Sequence, residues 1–316
     1  HNLAPLTVLS CDNLRSNGYT TRNLVSQLAL LQNRDLGHYI SDKISFPSTM
    51  VDRIVPATTD DDRERLSSYI GMRDRWPIVT ERFRQWIIED KFSSGRPDWN
   101  AHFVSDVEPF EVMKLRLLNG SHSCIAYLGY LSGYETVADA MQDIHLSHFI
   151  KMMMDEEITP TLQLPPTADV ETYKSDLMKR FKNPALKHRT SQIASDGSQK
   201  LPQRILETVR SRLKQNQPVD RLILGIAGWM RYVCGFDENF KSIDIKDPLR
   251  DKFQEITKST GLNASQLVPA LLSIEAIFGK DLLQNDIFLN ALTEALNRLI
   301  TEGTRKTLAI MKECGR

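Results

Sequence analysis

Three polar residues interrupt an otherwise apolar stretch, KLRLLNGSHS, at residues 114–123. Lys114, Asn119 and His122 are each costly to bury, because an unpaired polar or charged group loses several kcal/mol in an interior of low dielectric constant. On a single α-helix over residues 110–131 they would share one broad side, at about 0°, 140° and 80°, and span about 12 Å of the axis. That spacing suits an extended small molecule better than a single bound atom.

These side chains suit proton transfer at a hydroxyl or carbonyl group. A desolvated lysine has a lowered pKa and can act as a base near neutral pH. Asparagine can donate a hydrogen bond to a developing oxyanion, and histidine can orient a substrate hydroxyl. Gly120 would let a ligand approach the backbone. Spacing alone favours a plainer interpretation, in which Lys114 extends to solvent, Asn119 caps a break and His122 is a satisfied surface group.

The predicted elements that position these residues change near residue 106, from a mixture of strands and helices to helices alone. Before it, LTVLSCDN predicts a strand, and Leu24, Leu28 and Leu31 predict a helix after cap candidates at residues 20 and 21. Prolines in ISFPSTMVDRIVPATT indicate an edge strand or loop, and Trp86 to Ile88 favour a buried strand over a helix. After it, periodicity predicts helices at 110–131, 136–155, 169–182, 201–215, 219–234, 247–260, 264–278 and 286–312.

A second polar pair, Asp12 and Asn13, follows the first predicted strand. Proteins with parallel α/β sheets place ligands at the carboxyl ends of their strands. An Asx turn that simply closes the strand explains the same residues. The two interpretations stay open on spacing alone.

Composition narrows the class of protein. The chain has 316 residues, enough for two domains, and its 40 Lys plus Arg balance 40 Asp plus Glu. Nucleic-acid binders usually show a clustered basic excess, which this sequence lacks. The longest apolar runs, such as residues 222–230, are far shorter than the ~20 residues needed to cross a bilayer, and HNLAPLTVLS lacks the basic-then-apolar pattern of a signal peptide. We expect a cytoplasmic protein with neither a nucleic-acid nor a membrane partner.

The cysteines and histidines predict no metal site. The cysteines are scattered without a CxxC pair, which fits neither a disulfide framework nor a zinc site. His145 and His148 have the spacing of a metal pair on a helix, but the sequence offers no third ligand nearby.

Four motifs, SCDNLRSNG, PSTMVDRIVPAT, KLRLLNGSHS and HRTSQIASDGSQKLPQR, resemble those of the long-chain mannitol dehydrogenase family, in the same order and over nearly the whole chain. The resemblance implies a metal-independent dehydrogenase of polyols or hexonates that uses NAD. In that family a glycine-rich Rossmann segment precedes SCDN, and no GxGxxG occurs here. We therefore expect a mainly α fold with an N-terminal α/β remnant, with residues 1–105 as the C-terminal part of the dinucleotide-binding domain. Residues 106–316 would form an all-α substrate domain, and this chain alone would be inactive.

The resemblance also implies roles for single residues. Lys114 matches the general acid/base, Asn13 and Asn119 match the pair that holds the reacting oxygen, and His122 matches the residue that orients the substrate. Val51 and Asp52 match positions that line the site where NAD meets the substrate. An ion pair of Asp52 with its neighbour in sequence, Arg53, or with another basic residue is the plainer alternative.

The last motif resembles the fructuronate reductase (mannonate oxidoreductase) branch, because Gln192 stands where the polyol branch is expected to carry arginine. A hexuronate has a carboxylate, for which arginine is the usual partner; Arg189, Lys200 and Arg204 are the available cations. We expect hydride transfer between NAD(H) and D-fructuronate, giving D-mannonate. A mannitol or arabinitol dehydrogenase, or a non-catalytic helical interaction module, is the alternative. The choice of NAD over NADP and the oligomeric state stay open.

Overall fold

The computed structural model describes residues 4–314, with side chains as far as Met311, and divides into two compact units. Unit 1 comprises His1–Lys114 and Gln163–Ala168; unit 2 comprises Leu115–Leu162 and Asp169–Arg316. The domain boundary expected between residues 105 and 106 remains a prediction. None of the helices formed by the described residues is long and apolar enough to cross a membrane.

Unit 1 combines a small sheet with four helices in its described part. The helices are α1 (Asn17–Gln32), α2 (Arg34–Lys43), α3 (Asp60–Ile70) and α4 (Glu108–Lys114), and the strands are β1 (Thr49–Asp52), β2 (Gln85–Glu89) and β3 (His102–Val104). The strand order is β1-β2-β3, with β1 antiparallel and β3 parallel to β2. The edge position of β1 among the described strands agrees with the prolines around it. The buried strand expected at Trp86 to Ile88 is confirmed as β2.

Two expectations for the start of unit 1 are wrong. The segment LTVLSCDN forms one parallel bridge, between Thr7 and Ser45, and no longer strand. Its backbone is held by side chains instead, because Thr49 Oγ1 donates to the Ser10 carbonyl at 2.6 Å. Helix α1 begins at Asn17, before the expected caps, and Thr21 Oγ1 donates back to the Asn17 carbonyl inside the first turns.

Unit 2 is helical throughout its described part, apart from isolated bridges, which confirms the expected helical C-terminal region. The α-helices are α5 (Ser121–Leu131), α6 (Val137–Ala140), α7 (Ile144–Met152), α8 (Val170–Phe181), α9 (Thr190–Ala194), α10 (Gly197–Leu201), α11 (Glu207–Leu213), α12 (Asp220–Val233), α13 (Arg250–Thr260), α14 (Ala264–Leu272), α15 (Glu275–Phe278), α16 (Asp286–Glu302) and α17 (Thr304–Cys314). Short 3₁₀ turns lie at Thr159–Thr161 and Pro184–Leu186, and π-helical segments at Leu115–Gly120, Met153–Ile158 and Pro202–Leu206.

Several predicted helices are interrupted in the structure. The segment expected as one helix over 136–155 divides into α6 and α7, because the Asp143 side chain caps α7 by accepting from the backbone N–H groups of His145 and Leu146. The helix expected over 264–278 likewise divides into α14 and α15. The core of unit 2 surrounds α12, where Trp229 packs edge-on against Phe253 and Phe278.

The helix expected over 110–131 contains a π-helical segment. Helix α4 ends at Lys114, Leu115–Gly120 is π-helical, and α5 begins at Ser121. A π-helix closes its hydrogen bonds from i to i+5. The angles calculated for an α-helix therefore do not describe how Asn119 and His122 are placed around the axis relative to Lys114. This π segment packs against the other two, at 153–158 and 202–206. Such segments occur frequently at functional sites.

Candidate active site

Lys114 is buried at the end of α4. The residue is 8% exposed, and its Nζ donates to Asn13 Oδ1 at 2.6 Å and to the Val51 carbonyl at 2.5 Å. Lys114 therefore does not extend into solvent. Unit 1 brings three of the residues named by the family motifs into direct contact.

Asn17 holds the two segments that supply these partners. Its side-chain amide donates to the carbonyls of Ser10, Asp12 and Thr49, and its Oδ1 accepts from the Thr49 N–H at 2.9 Å. Asn17 thereby ties the SCDN segment to the start of β1, which carries Val51 and Asp52. Sequence reasoning missed this residue, and the second asparagine of SCDNLRSNG was the available signal.

Glu111 lies one turn before Lys114 on α4 and was also missed. Its carboxylate accepts from the Ser16 N–H at 3.2 Å. Burial raises the pKa of Glu111, while the hydrogen bond from Ser16 and the charges of Arg15 and Lys114 act in the opposite direction. Asp52 is fully buried at the end of β1, and the neighbouring Arg53 guanidinium donates to the Glu81 carbonyl.

His122 lies in unit 2 among aromatic and basic side chains. It is 6% exposed, its ring centroid lies 4.7 Å from Phe181 and 5.5 Å from His188, and its Nε2 is buried without a hydrogen-bond partner among the residues that the structure describes. Burial, followed by the charges of His188, Arg204 and Arg180, holds the pKa of His122 well below its usual value. The imidazole is therefore neutral near pH 7 and can exchange hydrogen bonds with a polar ligand. His122 is consequently not a surface group.

Asn119 and Arg204 are connected through Ser123. The Ser123 hydroxyl donates to the Asn119 carbonyl at 3.1 Å and accepts from Arg204 Nη1 at 3.2 Å. Asn119, like His122, is buried. Gly120 allows this arrangement, because a Cβ there would lie 2.9 Å from the Arg204 carbonyl oxygen.

The remaining candidates for substrate binding lie in different surroundings. Lys200 Nζ donates to the backbone carbonyl of Ser195 at 2.6 Å and more weakly to that of Ile193. Arg189 is largely exposed and pairs with Glu135 at 3.7 Å. Gln192 is exposed on α9. The structure therefore groups Arg204, rather than these three, with Asn119 and His122.

Two family models match the chain. Residues 106–300 match the mannitol dehydrogenase C-terminal domain, and residues 1–101 match the mannitol dehydrogenase Rossmann domain. The chain belongs to the mannitol dehydrogenase family. The expectation that the Rossmann part is missing from this chain is wrong, because residues 1–101 match that domain. The absence of a GxGxxG motif did not justify that expectation, because other segments of the Rossmann domain are recognisable in the sequence without it.

Curated relatives and solved structures agree on the family. The chain is 46% identical over 312 residues to D-mannonate oxidoreductase of Escherichia coli, covering 98% of this chain and 64% of that protein. It is 39% identical to mannitol 2-dehydrogenase of Aspergillus terreus, covering 97% and 61%. The structure of Pseudomonas fluorescens mannitol 2-dehydrogenase in a ternary complex with NAD and D-mannitol aligns with a TM-score of 0.85 and 37% identity, covering 97% and 62%. The chain thus spans less than two thirds of the length of these relatives.

Proposed function

We propose that the protein is an NAD-dependent oxidoreductase that transfers a hydride between NAD(H) and a sugar acid, with D-fructuronate and D-mannonate as the substrate pair. The observation that carries the proposal is the buried Lys114 ammonium, hydrogen-bonded to Asn13 and to the Val51 carbonyl. These two acceptors are uncharged oxygens, and the contacts orient the lysine for proton exchange with a substrate. The similarity to a D-mannonate oxidoreductase supports the sugar acid.

Lys114 acts as the general acid in the reductive direction. The carbonyl carbon of D-fructuronate receives the hydride, and Lys114 gives a proton to the oxygen that becomes the hydroxyl of D-mannonate. In the oxidative direction the lysine removes that proton. Asn13 and Asn119 are assigned to hydrogen bonds with the reacting oxygen, and His122, neutral near pH 7, to a substrate hydroxyl.

NAD supplies the hydride when it is bound. The residues present fit its nicotinamide end, because the carbonyl of Val51, one of the two positions assigned to that end, receives a hydrogen bond from the acid/base lysine. Val51 and Asp52 would hold this part of the cofactor. The NAD complex of the related mannitol 2-dehydrogenase supports the choice of cofactor.

Replacing the lysine tests the proposal. In the whole protein, Lys114→Ala should lower kcat for D-fructuronate by about two to four orders of magnitude, the usual scale for losing general acid/base help. NADH affinity should change little, because a group that exchanges a proton with the substrate contributes little to nucleotide binding. Steady-state kinetics with NADH between pH 6 and 10 provides the measurement, and Lys43→Ala, an exposed lysine of unit 1, is the control.

Two outcomes would contradict the proposal. Wild-type turnover by Lys114→Ala across that pH range would remove Lys114 from the acid/base role. A wild-type protein that reduces D-fructose but not D-fructuronate would favour the second candidate, a mannitol 2-dehydrogenase, for which the 39% identity to the fungal enzyme is the specific observation.

A further inference from the structure

Four basic residues of unit 2 lie in the electrostatic neighbourhood of His122. The charges of His188, Arg204 and Arg180 act on His122, the charge of Lys200 acts on His188, and the charge of Arg204 acts on Lys200. The like charges of Arg180, Lys200 and Arg204 repel one another, and a bound anion would stabilise all three. The charge of the cluster therefore indicates the class of ligand.

Within the cluster, Lys200 already has anionic and carbonyl partners. Its Nζ donates to two backbone carbonyls, and the charges of Asp196 and Asp247 act on it. Arg204 differs, because the one hydrogen bond of its guanidinium to the described residues goes to the Ser123 hydroxyl, and none of their carboxylates forms an ion pair with it. A guanidinium has five N–H donors in a planar fork that matches the two oxygens of a carboxylate.

The backbone places Arg204 next to the residues assigned to the substrate. Gly120 lets the π segment at 202–206 approach the π segment at 115–120, since a Cβ on Gly120 would meet the Arg204 carbonyl oxygen at 2.9 Å. Ser123, the residue after His122, then accepts the hydrogen bond that directs the guanidinium. Arg204 is thus held by its backbone and by its side chain beside Asn119 and His122.

We infer that Arg204, aimed by Ser123, binds the carboxylate of the sugar acid and sets the preference for sugar acids over polyols and ketohexoses. This inference rests on the proposed function and names the residue that decides its substrate class. The preference has two physical causes, one for each kind of substrate. A carboxylate gains a charged, bidentate partner, whereas an uncharged hydroxymethyl group leaves the guanidinium with a poorer partner than water.

Kinetics with two substrates tests Arg204. D-fructose carries a hydroxymethyl group in place of the carboxylate of D-fructuronate. In the whole protein, Arg204→Gln should lower kcat/KM for D-fructuronate about 100-fold, as expected from losing a charged hydrogen-bonded pair, mainly through KM. The value for D-fructose should not fall, Arg204→Lys should restore part of the loss, and Arg298→Gln, an exposed arginine of α16 paired with Glu294, should behave as wild type.

Binding measurements separate this inference from the proposed reaction. Calorimetric titration should show that the wild-type protein binds D-mannonate more tightly than D-mannitol, and that Arg204→Gln loses this difference. If the wild-type protein shows that preference but reduces neither D-fructuronate nor D-fructose, the reaction fails and the carboxylate site stands. Equal wild-type affinities for D-mannonate and D-mannitol, unchanged D-fructuronate kinetics in Arg204→Gln, or an equal loss on both substrates would overturn the role of Arg204.

Discussion

The protonation state of His122 follows from its neighbours. Burial in contact with Phe181 removes water from the ring, and the basic residues His188, Arg204 and Arg180 disfavour a second positive charge. The neutral ring can both donate and accept a hydrogen bond, as the orienting role for a substrate hydroxyl requires. His188 follows the same logic, since burial and the charge of Lys200 lower its pKa to about 4.

The depressed pKa of His122 makes the stability of the fold dependent on pH. Below pH 6.5 an unfolded histidine binds a proton that the folded His122 does not, so the unfolded state gains protons and the free energy of unfolding falls as the pH falls. This loss begins as the pH falls through about 6.5, the pKa of the unfolded ring, so it falls within the interval from pH 7 to pH 5. His122→Asn should therefore lose less stability than the wild-type protein over this interval, as measured by urea unfolding at both pH values.

The pH slope is the informative quantity in this comparison, since the substitution also changes packing at either pH. His38→Asn, at an exposed position of α2, is the matched control and should leave the slope unchanged. Parallel pH profiles for wild-type protein and His122→Asn would mean that the folded ring takes up its proton normally.

The residue types of the site could be predicted, but their contacts could not. The motifs singled out Lys114, Asn13 and Val51, although the lysine lies 101 residues from Asn13 and 63 from Val51. Periodicity carries no information about such distant pairs, so only the family resemblance connected them. The same limit explains why Asn17 was missed and why Arg204 could not be separated from Arg189 and Lys200.

At the scale of elements, one helix of unit 2 depends on a carboxylate from a different helical segment of the same unit. Helix α12 begins without a side-chain cap, because Val219 occupies the N-cap position. Glu157, on the π segment at 153–158, accepts from the N–H groups of Arg221 and Leu222 at 2.9 Å each. Glu157 is 1% exposed, and its hydrogen bond with the Leu222 N–H is buried, so bulk water cannot readily take its place as the acceptor.

Removing this carboxylate should destabilise unit 2. Glu157→Ala leaves one buried and one half-buried N–H group of α12 without their acceptor, at up to about 1–3 kcal/mol each, and we expect the free energy of unfolding to fall by about 3 kcal/mol. Glu156→Ala is the matched control, because the adjacent carboxylate pairs with Arg221 in a half-exposed position, where ion pairs contribute at most about 1 kcal/mol. Urea unfolding followed by circular dichroism measures both; equal losses would show that Glu157 does not act as the cap.

Element types were more predictable than element boundaries. Amphipathic periodicity located the longer helices of residues 106–314, because an apolar stripe must face the core whichever neighbour covers it. The π segments were not predictable, since a wider turn changes the hydrogen-bond ladder without changing composition. The misplaced strand at LTVLSCDN has a similar origin. Its β-branched residues favour extended chain, but side chains of Asn17 and Thr49 bind the backbone that a strand would need.

At the scale of the whole molecule, the two units bury very different amounts of apolar surface. Unit 1 has a sheet of three strands with five residues at most, and Leu24, Leu28 and Leu31 of α1 are exposed, the last by 85%. Unit 2 surrounds helix α12, which is buried from residue 222 to residue 233, with Ile226, Trp229 and Met230 at 0% exposure. Because stability against local opening follows buried apolar contact, unit 1 should open more readily than unit 2.

Hydrogen exchange followed by mass spectrometry measures this difference in the 316-residue chain. Amides of α1 and of β1 to β3 should exchange faster than those of α5 and α12, since short three-stranded sheets are near the limit of independent stability.

Leu128→Ala, which removes a fully buried side chain of α5, should speed exchange in unit 2. Leu31→Ala, at the exposed position of α1, should leave exchange in both units unchanged. Protection of α1 equal to that of α12 would mean that the exposed leucines are covered in solution, and the ranking of the two units would be wrong.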